Sequence, residues 1–213
     1  MKKSVFVLCI LLLISSFLLS CGQKPTEPDP RTAPFPGTAW GMTPDELIDS
    51  LKLEEGAYSI NEPAEEGGIY VIRVDEMPVF NTVADVFFRF DDMDDDGEKY
   101  YLFGLIAGLS DETDFDALIA AMSQEYGEPE EGKVLEWYSE ATVYDMMAEK
   151  DKAFVDGMSS FNQEPFHGAA TTIQLSIDGP FELITYKGEP TNNYIQIQNS
   201  TNRYTHGNGF PAQ

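Results

Sequence analysis

Apolar residues follow three regimes along the chain. They run almost unbroken from Val5 to Leu19, show no period from Gly22 to Pro36, and from Trp40 onward alternate between helical and strand spacing. In the third regime, TPDELIDSLKLEEG sets Leu47, Ile48 and Leu51 on one side of a helix. Thr43 suits its N-cap, Pro44 its first position, Glu46 completes a capping box, and Gly56 is the expected stop. A second helix is expected from Phe115 to Tyr126, capped by Thr113 or Asp114. Its apolar side carries Phe115, Leu118, Ile119, Met122 and Tyr126, and Gly127 and Pro129 follow it.

Strand spacing accounts for most of the rest. Gly68 to Val74, Ala84 to Phe90 and Lys99 to Leu109 are rich in β-branched and aromatic residues and broken by Pro, Asn, Asp and Gly, which predicts an antiparallel meander. VLEWY adds a tryptophan strand, TTIQLSI-DGP-FELITY reads as a hairpin turning at Asp178-Gly179, and NYIQIQ from Asn193 is the expected last strand. Between Glu140 and Phe161 a helix is expected through Val143, Met147, Phe154 and Met158. Asp45, Leu47, Ile48, Leu51, Glu54 and Gly56 match Asp116, Leu118, Ile119, Met122, Glu125 and Gly127 at a constant offset of 71, which suggests a duplicated unit. The expected class is α+β: antiparallel sheet with two short amphipathic helices on one face, a helix-plus-sheet unit used twice.

The first regime is a leader. Lys2 and Lys3 precede an apolar run that ends at a small residue, too soon for a flanked membrane span. Leu18-Leu19-Ser20-Cys21 resembles the lipobox of bacterial lipoproteins. That resemblance implies cleavage before Cys21, thioether-linked diacylglycerol on its sulfur, and acylation of the new amine, enough chains for stable anchoring. The expected organisation is a signal peptide over 1–20, lipidated Cys21 and a Pro-rich linker over 21–36, one domain over 37–200 and a flexible tail over 201–213. Cys9 leaves with the leader and Cys21 carries lipid, so the folded body is expected to hold neither disulfide nor free thiol. The place is the cell envelope, on the outer face of the cytoplasmic membrane or on an outer membrane.

Charge narrows the partners. The formal net charge is −24, and loss of Lys2 and Lys3 with the leader makes it more negative by two. Nucleic acid and anionic headgroups are repelled by such a surface, so the bilayer is met through the anchor and the expected partner is an envelope protein or peptide.

The WGMTPDEL helix, DFDALIAAMSQEYGEP, the tryptophan strand and TTIQLSIDGPFELITY together resemble a recurrent group of bacterial lipoproteins and secreted proteins of unknown function. The GMT-x-D/E opening also resembles the small SmpA/OmlA-type lipoproteins, whose likeness implies a place beside outer-membrane barrel assembly and assigns no functional residue here.

The densest candidate chemistry is FDDMDDDGEKYYLF. Asp92, Asp94, Asp96 and Gly97 fit positions 1, 3, 5 and 6 of a calcium loop, with Glu98 as a further oxygen donor. Position 12, which should bring a bidentate carboxylate, is Phe103, and the flanks read as strands. Two readings stand open: an acidic turn at Asp96-Gly97, or a weak calcium site. Gly127 to Val134 has phosphate-loop spacing, but three glutamates and a valine in place of Ser or Thr oppose phosphate. His167 and His206 fall in expected loops, and no metalloprotease or serine-hydrolase motif occurs. No catalytic residue is assigned and no resident cofactor is expected. The function expected is a non-catalytic binding module; a calcium-dependent module and an exported hydrolase are the alternatives.

Overall fold

The computed structural model describes residues 35–63, 68–92, 99–132, 134–147, 149–179 and 184–200. Cys21, the leader, the Pro-rich linker, the tail with His206, and Asp94, Asp96 and Glu98 of the acidic stretch lie outside them.

The capping signals act as expected. Helix α1 spans Pro44–Leu51, with Thr43 and Glu46 exchanging both capping-box hydrogen bonds. It stops at Lys52, in left-handed conformation, four residues before the expected Gly56, because Lys52 and Leu53 close the last turn through their own amides. Helix α2 spans Phe115–Tyr126 with Asp114 as N-cap.

The strands are β1 (Tyr58–Asn61), β2 (Tyr70–Val79), β3 (Thr82–Asp91), β4 (Tyr101–Leu109), β5 (Glu130–Glu131), β6 (Leu135–Tyr138), β7 (Thr171–Ser176), β8 (Ile184–Tyr186), β9 (Glu189–Thr191) and β10 (Tyr194–Asn199). Eight form one antiparallel sheet in the order β1-β2-β3-β4-β10-β7-β6-β5, and β8 pairs β9 separately. The fold is α+β. Its order is symmetric: α1 leads into β1 to β4, α2 leads into β5, β6, β7 and β10, and the two four-stranded halves join at β4 and β10. The offset of 71 superposes helix starts Pro44 and Phe115, caps Thr43 and Asp114, and fully buried Leu47 and Leu118. Gly56 and Gly127 share that offset and both have positive φ, 89° and 85°.

One face of the sheet is the core side. Ile72, Val86, Phe88, Leu105, Ala107, Ile195, Ile197, Ile173 and Trp137 point to it, and Leu47, Leu118 and Met122 of the two helices join the same cluster. Alternation of buried and half-exposed residues is strict in β10, runs from Val86 to Asp91 in β3 and from Thr171 to Leu175 in β7, and is broken by buried Asp85 and Ser176. Trp40 donates its indole N–H to Thr171 and Trp137 donates its own to the Gly127 carbonyl, so both large rings are buried without an orphaned donor. The sheet's two edges are short, four residues in β1 and two in β5, which limits edge-to-edge pairing.

Two expectations are corrected. TTIQLSIDGPFELITY is not a hairpin: β7 pairs with β10 and β6, while β8 pairs with β9. The chain bends at Asp178, with φ 50°, but β10 takes the β7 edge with six paired positions in place of the local partner. The long helix expected through Val143 is instead a turn over 143–146 followed by α3 (Glu149–Asp156), α4 (Ser160–Gln163) and a 3-10 turn (Glu164–His167). Val143 and Met146 are buried there, so tertiary packing overrode the helical spacing.

Candidate functional site

The second face of the sheet is built by the other half of each alternation. Reading across six strands, Arg73, Phe87, Ile106, Gln196, Gln174 and Glu136 stand opposite one another in one row. The next row is Val71, Arg89, Gly104, Gln198, Thr172 and Tyr138. Nearly all are partly exposed, whereas their neighbours one residue along are buried.

Two devices shape this face on the β3 side. Gly104 lies opposite Arg89 while Leu102 lies opposite Phe90, so Phe103 is the extra residue of a bulge. The bulge aims the Phe103 ring beneath Arg89, whose guanidinium carbon sits 4.9 Å from the ring centroid. Arg73 stacks in the same way 5.2 Å from Phe87. Arg73 also pairs with Asp75 at 2.6 Å and Asp85 at 3.1 Å. Burial pushes the Arg89 guanidinium below its ordinary pKa, partly offset by the charge of Asp91. Arg31 and Arg203 lie outside the described residues, so both described arginines of this acidic chain occupy adjacent rows of one sheet face.

On the other side of Gly104 the face is made of amides and hydroxyls. Gln196 donates to Gln198 at 3.2 Å, and Gln174 donates to Glu136 at 2.5 Å. Thr172 and Ser200 hydroxyls lie 3.4 Å apart. These groups surround a small cavity of about 90 Å³ lined by Thr172, Gln174, Gln196, Gln198 and Ser200. Tyr138 donates to Glu136 at 2.6 Å; that bond, then burial and the carboxylate's charge, pushes its hydroxyl up to about 12.

One end of the face is strapped by β8 and β9. Asp85, fully buried, accepts from Arg73, from the Glu76 amide at 3.2 Å and from the Lys187 amide at 2.7 Å. It therefore ties the Asp75-Glu76 bulge of β2 to the turn of the hairpin, where Lys187 also pairs with Glu76 at 2.7 Å. Gly108 permits the contact, since a Cβ there would collide with the Thr185 carbonyl.

A second concavity, an open apolar cleft of about 500 Å³, lies on the core side between Phe35-Pro36, the Met77–Phe80 turn and Glu125. Glu125 accepts from Tyr126, whose ring meets Phe80 edge-on at 6.0 Å. Burial, with that bond, raises the Tyr126 pKa.

The sequence-derived candidates fall elsewhere. Asp92 is buried just beyond β3, and Asp94, Asp96 and Glu98 cannot be placed beside it because they lie outside the described residues. Among the described residues no three His, Cys, Asp or Glu side chains gather at metal-binding distance. His167 is exposed and stacks on Tyr144 at 5.3 Å. Gly127 serves as the C-cap of α2 and Glu130–Glu131 form β5, so the phosphate-loop spacing is a helix stop and an edge strand. The open-face residues were not singled out from sequence, although the IQIQ alternation of β10 with Gln174 of β7 and the Gly104/Gly108 pair carried the signal.

The fold thus defines an α+β protein with a duplicated helix-and-meander unit and one polar, partly strapped sheet face. No family model, curated protein or solved structure matches the chain. No helix among the described residues is long and apolar enough to cross a membrane.

Proposed function

We propose that the protein is a lipid-anchored, non-catalytic binding module of the bacterial cell envelope, held at Cys21 and working through the open face of its sheet. The observation that carries the reading is the contrast between faces: one buries the whole core, and the other presents two stacked arginines and a cluster of amides half-exposed. Side chains that serve only solubility are more often charged, and in this chain most charge is acidic. A half-buried guanidinium and paired glutamines cost desolvation without adding to the core, which suits a recognition surface.

The leader and lipobox-like Leu18–Cys21 support the anchor, and the Pro-rich stretch from Gly22 to Pro36 suits a spacer of up to ~3.1 Å per residue. Two experiments test the two halves of the reading. Mass spectrometry of the membrane-bound chain should find Cys21 as a lipidated N-terminus; an intact leader or a bare terminus in soluble material defeats the anchor. A photo-crosslinking residue at Gln196 should give a discrete adduct in the envelope, and one at exposed Asp49 on α1 should not. Equal crosslinking at both sites defeats the open-face assignment.

A further inference from the structure

We infer that the apolar cleft between Phe35-Pro36 and the β2–β3 turn docks a basic amphipathic segment of a partner protein, its apolar side chains in the cleft and a lysine or arginine against Glu125 at the end of α2. This surface is on the core side of the sheet, and the inference does not rest on the open-face reading.

The cleft supplies the apolar half. Apart from Glu125 it is walled by Phe35, Pro36, Met77, Pro78, Val79 and Phe80, and its volume is about 500 Å³. A cavity of about 150 Å³ accommodates benzene, so this one takes more than one apolar side chain. Pro36 and Pro78 carry no backbone N–H, which removes two donors that an apolar occupant would leave unpaired. Phe80 meets the Tyr126 ring edge-on at 6.0 Å and Phe35 meets Phe88 at 5.6 Å, so two of the walls are fixed before anything docks.

The rim supplies the charge. Glu125 is the ionic group of the lining, and it belongs to the last turn of α2, where the helix dipole already places partial negative charge. That turn holds no basic residue, and exposed Glu128 follows just past the Gly127 cap. Glu125 accepts from the Tyr126 hydroxyl at 2.8 Å and makes no ion pair with a lysine or arginine among the described residues, whereas Glu76, next to Met77, is paired with Lys187. A carboxylate accepts about four hydrogen bonds, so one neutral donor leaves room for a cation. A lysine or arginine docked there meets the carboxylate and the helix end together. A second copy of the chain, or an anionic lipid, brings the same sign as the net charge of −24 and is repelled. A neutral acyl chain would fill the apolar half and leave the rim uncompensated.

The test uses the full-length chain in nanodiscs of a zwitterionic phospholipid, with empty discs subtracted. Its probes are a capped amphipathic peptide of leucine and lysine about four helical turns long, the same peptide with glutamine or glutamate for lysine, and a neutral monoacylglycerol. Calorimetry gives affinities, and the ¹³C-methyl signals of the methionines report the site, since Met77 lines the cleft. The lysine peptide is expected to shift Met77, to bind at least ten-fold tighter than the glutamine peptide, and to weaken with added salt. Glu125→Lys should bring it down to the glutamine peptide's level while the fold is kept, because the new charge suits the end of α2. Pro78→Asp, at an exposed position of the lining, should weaken both peptides. Equal affinity of the three peptides, a Met77 signal that does not move, unchanged binding in Glu125→Lys or Pro78→Asp, or tighter binding of the monoacylglycerol overturns the inference. A Met77 signal displaced by Arg31→Gln alone, without peptide, overturns it too and gives the cleft to the chain's own linker. The Gln196 crosslink is read independently of all these outcomes, so failure here leaves the open-face reading standing.

Discussion

Phe88 and Phe87 are adjacent in β3 and face opposite ways, and the two surfaces they belong to are built on different physics. Phe88 is fully buried and meets Phe35 edge-on at 5.6 Å, within a cluster that draws in α1, α2 and strands β2, β3, β4, β6, β7 and β10. Phe87 is half-exposed and serves as a platform for Arg73. On the core face, affinity for the interior is nonspecific and adds up with area. On the open face each group is held by a named partner, so it contributes little to stability and defines a shape and a pattern of donors. The contrast teaches that one strand can carry the fold on its even positions and build the open face with its odd ones.

The comparison breaks most sharply at Phe88. Phe88→Ala is expected to cost about 3–5 kcal/mol in denaturant unfolding, against about 1 kcal/mol for Phe87→Ala, which loses half-exposed area and one cation–π contact. Similar losses at both sites would mean the open face is a second core. Asp85→Ala comes next, at about 3 kcal/mol, because it leaves the Glu76 and Lys187 amides without the buried carboxylate that satisfies them and takes one of its two carboxylates from Arg73. Its amide-exchange signature should be confined to Glu76 and Lys187 and their neighbours.

A smaller effect is expected at the strap. Gly108→Ala forces the hairpin off β4 and should cost about 1–3 kcal/mol, with loss of protection at the Lys187 amide. An unchanged exchange pattern would show that the strap is not seated on the sheet. Thr43→Ala, away from either face, should cost about 1 kcal/mol through the lost cap.

The smallest effect concerns pH. The Tyr138 hydroxyl, raised to about 12 by its bond to Glu136, keeps its proton in the folded chain where an unfolded tyrosine begins to lose it near 10. The contribution of that bond is therefore complete below pH 10 and is lost as pH rises through 12. In a ¹³C-tyrosine titration Glu136→Gln should bring the Tyr138 transition back toward 10, and an unmoved midpoint would separate the two side chains.

Much of the core face was legible in the sequence. The capping box at Thr43 and the apolar side of α2 fix local structure through bonds three or four residues apart, and alternation in β3, β7 and β10 states which residues turn inward. The open face was not legible, because a row such as Arg89, Gly104, Gln198 and Thr172 exists only once strands far apart in sequence are in register. The misread hairpin has the same origin. Asp178-Gly179 is a sound turn signal, yet turn chemistry alone says nothing of which strand wins the neighbouring edge.

By itself the sequence determined α1, α2 and strands β2, β3, β4, β6, β7 and β10 with their inward sides, since these depend on spacing, capping and propensity within a dozen residues. Only the tertiary structure decided that β4 and β10 join the two halves, that Phe103 bulges under Arg89, and that Asp85 holds a hairpin 102 residues away. Those arrangements depend on pairing between distant strands, where many registers satisfy the same local pattern and the packing of the whole sheet selects one.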